Sequence, residues 1–225
     1  MSQFVINPFI SFPDLCNTVY DSGNITSQGD WEVSGTGGTA TFSDGINSAS
    51  ADNSENKIIY LDLQDSDLLD GENASETEWV LRWKMTWSNA PSDYGTPFMT
   101  LSSTTGAQNA TQNYVCTRFD GASIGIKGTR SSTLAGGSTA KGSIDASYYT
   151  SNTFYFELKR DGSNCLMSNY NSDYSTVDWT SGNIALGGSG DMDLRYIKFV
   201  PRWAGGDGDY NATMDDFTFY NGCSP

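Results

Sequence analysis

Aromatic side chains stand beside carboxylates or a guanidinium at three places in the sequence that have the composition of loops. Tyr94 follows Asp93, and Trp179 follows Asp178. The segment 201–210, PRWAGGDGDY, combines an aromatic ring, a cation, two carboxylates and several glycines. A pyranose ring can stack its C–H face on Trp or Tyr while its hydroxyls form directional hydrogen bonds. The candidate glycan-binding residues are therefore Tyr94, Trp179, Arg202, Trp203, Asp207, Asp209 and Tyr210; for each ring, the alternative is packing against the base of its loop.

Catalysis by acidic residues has only a weak candidate in this sequence. Glu72, Glu76 and Glu78 lie near one another, but within a stretch rich in Ser, Thr and Asn that is typical of a loop. The chain contains no histidine, and this removes every His-based catalytic dyad or triad and most transition-metal sites. We therefore expect a protein that is not an enzyme.

The charge of the chain limits its partners. The formal net charge is −15, and nucleic acid is an unexpected partner because a polyanion needs clusters of Lys and Arg. Anionic membranes are disfavoured for the same reason, and no stretch approaches the roughly twenty apolar residues needed to span a bilayer. The acidity serves solubility, or alternatively some of the carboxylates hold a hard cation such as calcium.

The strongest pattern in the chain is the alternation within Trp79–Trp87, WVLRWKMTW. Three tryptophans, Leu81 and Met85 fall on one side, whereas Arg82 and Lys84 fall on the other. A period of two residues indicates a β-strand, and an apolar face of this size needs a second sheet to cover it. We expect this apolar face to be buried.

The rest of the chain fits an all-β fold. The segment 154–159, FYFELK, alternates in the same way, with its phenylalanines and leucine on one side. The chain is 37% hydrophobic and 13% aromatic, with many Gly, Ser, Thr, Asn and Asp residues between the strands, as in a sandwich with bulky core residues and many turns. The sequence predicts a two-sheet antiparallel β-sandwich, with residues 1–30 as an N-terminal arm and first strand and residues 31–225 as a single domain.

These strands together resemble a known superfamily. The succession of WVLRWKMTW, FYFELKRDGSN, LRYIKFV and MDDFTFYNG, over roughly residues 57–222, resembles the concanavalin A-like lectin/glucanase superfamily. Its laminin-G-like domains and viral tail-fibre or particle-surface domains are the nearest in character. GDWEVSGTGGTATF, paired with the closing MDDF, is also similar to jelly-roll carbohydrate-binding modules. The resemblance implies a jelly-roll sandwich that binds glycans, with its first and last strands as neighbours. The three alternating acidic residues of the glucanases are missing from this chain.

The resemblance also bears on the four cysteines, which allow three pairings. Because it places the chain ends side by side, it favours a Cys16–Cys223 disulfide, and this leaves Cys116–Cys165 as the second. The alternative is four free, buried thiols in a reducing compartment.

A structural calcium is a further implication of the resemblance. Asp215 shares parity with Phe217 and Phe219, so it faces inward if both phenylalanines do. An inward carboxylate is costly unless it is paired or bound to a cation, and the similar carbohydrate-binding modules hold calcium at this aspartate. Candidate partner ligands are Asp14, Asp21 and Asp30. The alternative is that Asp215 accepts hydrogen bonds from backbone N–H groups.

Two classes of function remain. We expect a non-catalytic protein of a virus particle or cell surface, whose jelly-roll domain binds a surface polysaccharide or other glycan. The even cysteine count and four Asn-x-Ser/Thr sites fit an extracellular or virion-surface location. The alternative is a structural decoration or filament subunit that binds copies of itself or other particle proteins, with the apolar segment 4–12, FVINPFISF, as its contact. A glycoside hydrolase or lyase of similar fold is the second alternative.

Overall fold

The structure is a computed structural model that describes residues 16, 18–50, 57–65, 67–89, 97–106, 112–120, 123–130, 133–139, 152–199 and 210–223. Within these ranges the chain forms sixteen β-strands and no helix. Accordingly, the described part of the chain contains no helix long and apolar enough to cross a membrane. The apolar segment 4–12, the expected contact for self-assembly, lies outside the described residues.

The strands form two antiparallel sheets, as the sequence predicts. One sheet contains nine strands: β1 (Thr18–Asp21), β3 (Thr39–Phe42), β4 (Ile46–Ser50), β6 (Glu78–Asn89), β11 (Thr153–Asp161), β12 (Asn164–Tyr170), β13 (Val177–Thr180), β14 (Ile184–Ala185) and β16 (Tyr210–Asn221). The other contains seven: β2 (Trp31–Ser34), β5 (Ile58–Asp62), β7 (Pro97–Ser102), β8 (Tyr114–Asp120), β9 (Ser123–Arg130), β10 (Thr133–Thr139) and β15 (Tyr196–Phe199).

Strand order brings distant parts of the chain together. The nine-stranded sheet runs β13-β12-β11-β6-β16-β4-β3, with β1 paired to β16 and β14 paired to β12. The seven-stranded sheet runs β10-β9-β8-β7-β15-β5-β2. The first and last strands, β1 and β16, are therefore neighbours, as the resemblance implies.

Strand β6 lies at the centre of the nine-stranded sheet and carries the apolar face that its alternation predicts. Trp79, Leu81, Trp83 and Met85 are completely buried, whereas the side chain of Lys84 is 38% exposed. The inward rings meet those of both sheets: Trp83 lies 5.3 Å from Phe156 of β11, and Trp87 lies 5.8 Å from Phe98 of β7, measured between ring centroids. The predicted burial of this face is confirmed.

Strand β16 departs from simple alternation at one point. Asp215 pairs with Lys84, but the next pair is Thr218 with Arg82, so β16 contains one extra residue there. The backbone of Asp216 accommodates this bulge with a φ of 51°. The parity that linked Asp215 to Phe217 is therefore interrupted, because the bulge lies between them. The predicted inward direction of Asp215 is wrong, because Asp215 follows the core residue Met214 and pairs with the outward Lys84. It is nevertheless buried, with 8% of its surface exposed.

The four cysteines do not all pair as expected. Cys16 and Cys223 form a disulfide, with their Cα atoms 5.5 Å apart, which confirms the first predicted pair. The prediction of a Cys116–Cys165 disulfide is wrong, because both are free, buried thiols. Cys165 lies on the nine-stranded sheet and belongs to the core between the two sheets. Cys116 follows the core residue Val115 on β8 of the seven-stranded sheet, so its side chain points away from that core. Burial raises the pKa of each thiol to about 12.

The face of the seven-stranded sheet that points away from the core contains a buried cation. Lys198 of β15 is completely buried, and its Nζ donates hydrogen bonds to the carbonyl oxygens of Thr104 and Gly106, at 2.7 and 2.6 Å. Both acceptors belong to the segment that follows β7. Burial lowers the pKa of Lys198 from 10.5 to about 8, because the protonated amine loses its hydration inside the protein.

We expect Lys198 to make stability depend on pH in the alkaline range. Between pH 8 and pH 10.5 the unfolded chain binds a proton at this lysine that the folded chain has lost, so stability from this group rises with pH. The full gain is at most about 3 kcal/mol. The buried thiols have raised pKa values, so their contribution to stability falls as pH rises. To isolate Lys198, the measurement is therefore the difference in unfolding free energy between wild type and Lys198→Met. This difference should shift in favour of wild type as pH rises; a pH-independent difference would show that Lys198 is not desolvated.

Candidate functional site

A cavity of about 540 Å³ opens at the end of the nine-stranded sheet where β11 begins and β12 ends. It lies between the first residues of β11 and the connection from β12 to β13. Its lining includes two half-buried tyrosines, four amide or carboxylate side chains and one exposed aliphatic residue. They are Tyr155, Tyr170, Asn152, Asn169, Asn171, Asp178 and Val177.

The two tyrosines come from neighbouring strands and lie side by side. Tyr155 of β11 pairs directly with Tyr170 of β12, so both rings project from the same face of the sheet. This is the face opposite the core, because Phe154 and Phe156 on either side of Tyr155 are buried between the sheets. The alternation of aromatic residues in β11 therefore serves both the core and the cavity.

A charged cluster fixes the position of Tyr170. Its hydroxyl donates a hydrogen bond to Oε1 of Glu157 at 3.1 Å, and Glu157 accepts another through Oε2 from Nε of Arg82 at 2.8 Å. The Arg82 guanidinium also lies 4.8 Å from the ring centroid of Tyr174, a cation–π contact. Burial, followed by the nearby Glu157 carboxylate, raises the pKa of Tyr170. The phenol therefore remains a neutral hydrogen-bond donor.

The connection between β12 and β13 forms the rim of the cavity. Oδ1 of Asn171 accepts hydrogen bonds from the backbone N–H groups of Ser175 and Thr176, at 3.0 and 3.1 Å. The backbone N–H of Asn171 donates to the Thr176 carbonyl at 3.0 Å. Tyr174 within this turn has a φ of 56°, uncommon for a bulky residue. The short, internally bonded connection gives the rim a defined shape.

An amide at the base of the cavity joins three strands. Oδ1 of Asn169 accepts the Tyr155 backbone N–H at 3.0 Å, and its Nδ2 donates to Oδ2 of Asp178 at 3.2 Å. Asn169 is 6% exposed, whereas Asp178 is exposed. The carboxylate of Asp178 is thereby oriented at the surface beside the two tyrosines. Aromatic rings next to fixed carboxylate and amide groups are the combination that can hold a sugar ring by stacking and hydrogen bonding.

Two of the predicted glycan-binding residues are in the wrong environment. Trp179 is 8% exposed and packs in the core, with its ring centroid 6.3 Å from that of Phe156. Tyr210 is 1% exposed, and its hydroxyl lies 3.0 Å from Oγ of Ser48. Both rings are core residues because each falls on the inward side of its strand, which corrects the predicted exposure. Five of the predicted glycan-binding residues lie outside the described residues: Tyr94, Arg202, Trp203, Asp207 and Asp209.

The sequence pattern predicts Trp179, the residue next to the cavity-lining Asp178, but does not point to Tyr155 or Tyr170. In the sequence Asp178 is only the neighbour of the candidate ring Trp179, and on β13 Asp178 is exposed whereas Trp179 is buried. The signal for Tyr155 was present, since FYFELK places it opposite the buried phenylalanines. Nothing in the sequence pairs Tyr155 with Tyr170, because that pairing depends on the β11–β12 register.

Glu76 and Asp215, two carboxylates that the sequence offers as functional candidates, make structural contacts. Glu76 accepts the backbone N–H groups of Met192 and Asp193 through Oε1, at 2.9 and 3.1 Å, and ion-pairs with the buried Arg160 through Oε2 at 3.1 Å. Asp215 accepts the Ile25 backbone N–H through Oδ1 at 2.8 Å. In the part of the chain that the structure describes, no group of three or more Cys, Asp or Glu residues is arranged to hold a metal ion. Asp14 lies outside that part.

No protein-family model matches the chain, and no curated protein matches it in sequence. Its likeness to known proteins is one of structure. The exoplasmic/lumenal domain of VIP36 in its calcium-bound form has a TM-score of 0.60 and 8% identity, over 92% of both chains. A protein of unknown function with a galectin-like fold, from Bacillus subtilis, has a TM-score of 0.55 and 12% identity, over 91% of this chain and 96% of that one.

A third similar structure is that of botulinum neurotoxin type C, whose cell entry depends on interaction with two ganglioside molecules. It has a TM-score of 0.60 and 9% identity over 90% of this chain, which spans 47% of the toxin chain. The fold of the present protein is a concanavalin A-like jelly roll. The same VIP36 domain is also known with bound Man3GlcNAc and with bound Man2.

Proposed function

We propose that this domain binds a glycan in the cavity between β11 and the β12–β13 connection. The observation that carries the proposal is the placement of Tyr155 and Tyr170 beside the oriented carboxylate of Asp178. Each ring packs on one side against Tyr174, with centroid distances of 6.1 Å for Tyr155 and 5.6 Å for Tyr170. In the proposed mode the remaining ring surface takes the C–H side of a pyranose, and the amide and carboxylate groups form hydrogen bonds with its hydroxyls. The jelly-roll neighbours that bind gangliosides or mannose glycans support this function by analogy of fold.

The proposed role is binding without catalysis. In support, Glu76, one of the three acidic residues considered for hydrolysis, is held by Arg160 and by two backbone N–H groups. Within the described residues, Asp178 is the one carboxylate that lines the cavity, whereas glycoside hydrolysis ordinarily uses two. Release of reducing ends from a panel of polysaccharides, abolished by a single carboxylate substitution, would contradict this role.

We place the proposed function outside the cytoplasm, on a virus particle or a cell surface. The Cys16–Cys223 disulfide supports this location, since structural disulfides persist in oxidising compartments. The similar VIP36 domain is exoplasmic or lumenal. Detection of the protein on intact particles or cells by a specific antibody tests the location.

Replacement of Tyr155 by alanine tests the cavity as the binding site. Loss of a stacking ring should weaken binding to the best ligand of a glycan array by about tenfold, as measured by titration calorimetry. Tyr196→Ala is the matched control, because Tyr196 is also a half-buried tyrosine but lies on the seven-stranded sheet. Equal affinities of wild type and the folded Tyr155→Ala variant would place binding elsewhere.

Calcium bound by Asp215 stays a prediction of the resemblance, and chelation tests it. The resemblance predicts a lower melting temperature in EDTA; an unchanged melting temperature would show that the Ile25 N–H, at 2.8 Å, compensates the Asp215 carboxylate without an ion. A ligand that binds only the folded state would raise its stability by mass action. A lower melting temperature in EDTA, restored by added calcium, would therefore support the structural calcium that the carbohydrate-binding modules imply.

A further inference from the structure

An exposed aliphatic side chain lines the proposed binding cavity. Val177 of β13 is 48% exposed. Within the described residues one other large apolar side chain is exposed, that of Val33 on β2 of the seven-stranded sheet, at 37%. Because Val177 lies inside a concave site, it offers a place where an apolar group of a ligand can be removed from water.

A β-bulge accounts for the exposure of Val177. In a regular strand Val177 would share a face with Trp179, two residues away, which is buried in the core. The pairing of β12 with β13 shifts its register at this point: Asn169 pairs with Trp179, but the next residue, Tyr170, pairs with Val177. The extra residue of β13 turns Val177 to the outer face of the sheet.

Strand pairing places Val177 in one row with the two cavity tyrosines. Tyr155 of β11 pairs with Tyr170 of β12, and Tyr170 pairs with Val177 of β13. Directly paired residues project from the same face, and neighbouring strands lie about 4.8 Å apart, so the row is about 10 Å long. A sugar ring that covers the tyrosines therefore leaves the valine to a substituent of that ring.

Hydrogen-bonding groups lie close to the valine. Thr176 precedes it in the chain, and both Thr176 and Ser172 are exposed residues of the cavity lining. A hydroxyl group can donate a hydrogen bond to a carbonyl oxygen and accept one from an N–H. The substituent that matches these surroundings combines a methyl group with an amide, as the acetamido group of an N-acetylhexosamine does.

We propose that the cavity selects N-acetylhexosamines, with Val177 as a specificity-determining residue that receives the acetamido methyl group. The inference rests on the proposed glycan-binding function. The sugar ring covers the tyrosines, the methyl group covers the valine, and the amide forms hydrogen bonds at the rim. A hexose without this group loses the burial of one methyl group, which corresponds to about fourfold in affinity.

Val177→Thr replaces one methyl group of the valine by a hydroxyl and keeps the branched shape of the side chain. Threonine is as well suited to a strand as valine, and the position is exposed, so the variant should fold. Val33→Thr is the matched control, because it makes the same replacement at the exposed valine of the other sheet. A difference between the two variants therefore arises from position.

The experiment compares affinities within pairs of sugars, measured by NMR titration. N,N′-diacetylchitobiose is paired with cellobiose, and N-acetyllactosamine with lactose; the members of each pair differ by acetamido groups in place of hydroxyls. L-fucose and L-galactose form a third pair, which tests a methyl group without an amide, and a manno-oligosaccharide is added. Wild type should prefer the N-acetylated member by about fourfold or more. The preference should shrink in Val177→Thr and persist in Val33→Thr.

Three results would overturn the inference and leave the proposed glycan-binding function standing. They are equal or weaker binding of the N-acetylated sugars by wild type, an unchanged preference in Val177→Thr, and a preference for L-fucose over L-galactose without one for N-acetylated sugars. The last result would assign the valine to a 6-deoxy sugar. Absence of binding to every one of these sugars would overturn the proposed function together with the inference drawn from it.

Discussion

Replacement of Trp83 by alanine should lower the free energy of unfolding by about 3–5 kcal/mol. Trp83 is the middle one of the three inward-facing tryptophans of β6 and is completely buried. Its ring centroid lies 5.3 Å from that of Phe156. Truncation to alanine removes most of the apolar surface of the tryptophan side chain. The cavity that remains cannot close, because the backbone of β6 is fixed by neighbouring strands on both sides. Urea denaturation monitored by circular dichroism measures the effect.

The neighbouring Lys84→Ala variant provides the control for this experiment. Lys84 occupies the next position of the same strand but points to the other face, where its side chain is 38% exposed and lies 3.8 Å from Asp216. Its removal should change stability by no more than about 0.5 kcal/mol. Comparable losses from Trp83→Ala and Lys84→Ala would show that the register of β6 is not the one described.

Loss of the Cys16–Cys223 disulfide should also have a large effect, of about 3–5 kcal/mol. The bond joins residues 207 positions apart, and a cross-link that closes a long loop restricts the unfolded chain most strongly. The double variant Cys16→Ser/Cys223→Ser should therefore melt well below wild type under non-reducing conditions.

Reduction gives an independent check on the disulfide. Dithiothreitol should lower the melting temperature of wild type to that of the double serine variant and leave the variant unchanged. Titration of the unfolded, unreduced wild type should find two reactive thiols, since Cys116 and Cys165 are free. Four reactive thiols, or no destabilisation of the double variant, would contradict the described pairing.

Local patterns predicted the strands well because each depends on residues two apart. The alternation of Trp79, Leu81 and Trp83 specifies a buried face without knowledge of its partner strand, and the structure buries all three. The two-sheet sandwich follows from the same reasoning, since such a face needs a cover. The bulge at Asp216 could not be predicted, because it depends on the pairing of β16 with β6.

The candidate site was harder to predict than the fold. An aromatic residue beside an aspartate resembles a sugar-binding pair, which makes Trp179 a candidate in the sequence, but β13 turns the ring into the core and leaves Asp178 at the surface. Tyr155 and Tyr170 become neighbours only through the β11–β12 register. The wrong prediction of a Cys116–Cys165 disulfide has the same cause. The two cysteines belong to different sheets, and no spacing in the sequence reveals this separation.

Chemical-shift mapping of backbone amides by NMR, during titration with the best neutral ligand of a glycan array, tests the glycan-binding cavity most directly. Binding at the proposed site predicts that the largest shifts fall at Thr153–Tyr155 and at Asn169–Asp178, the two segments that surround the cavity. Residues of the seven-stranded sheet, such as Tyr60 and Tyr196, should shift little. Shifts concentrated on that sheet, or no shift with any glycan at saturating concentration, would contradict glycan binding at this site.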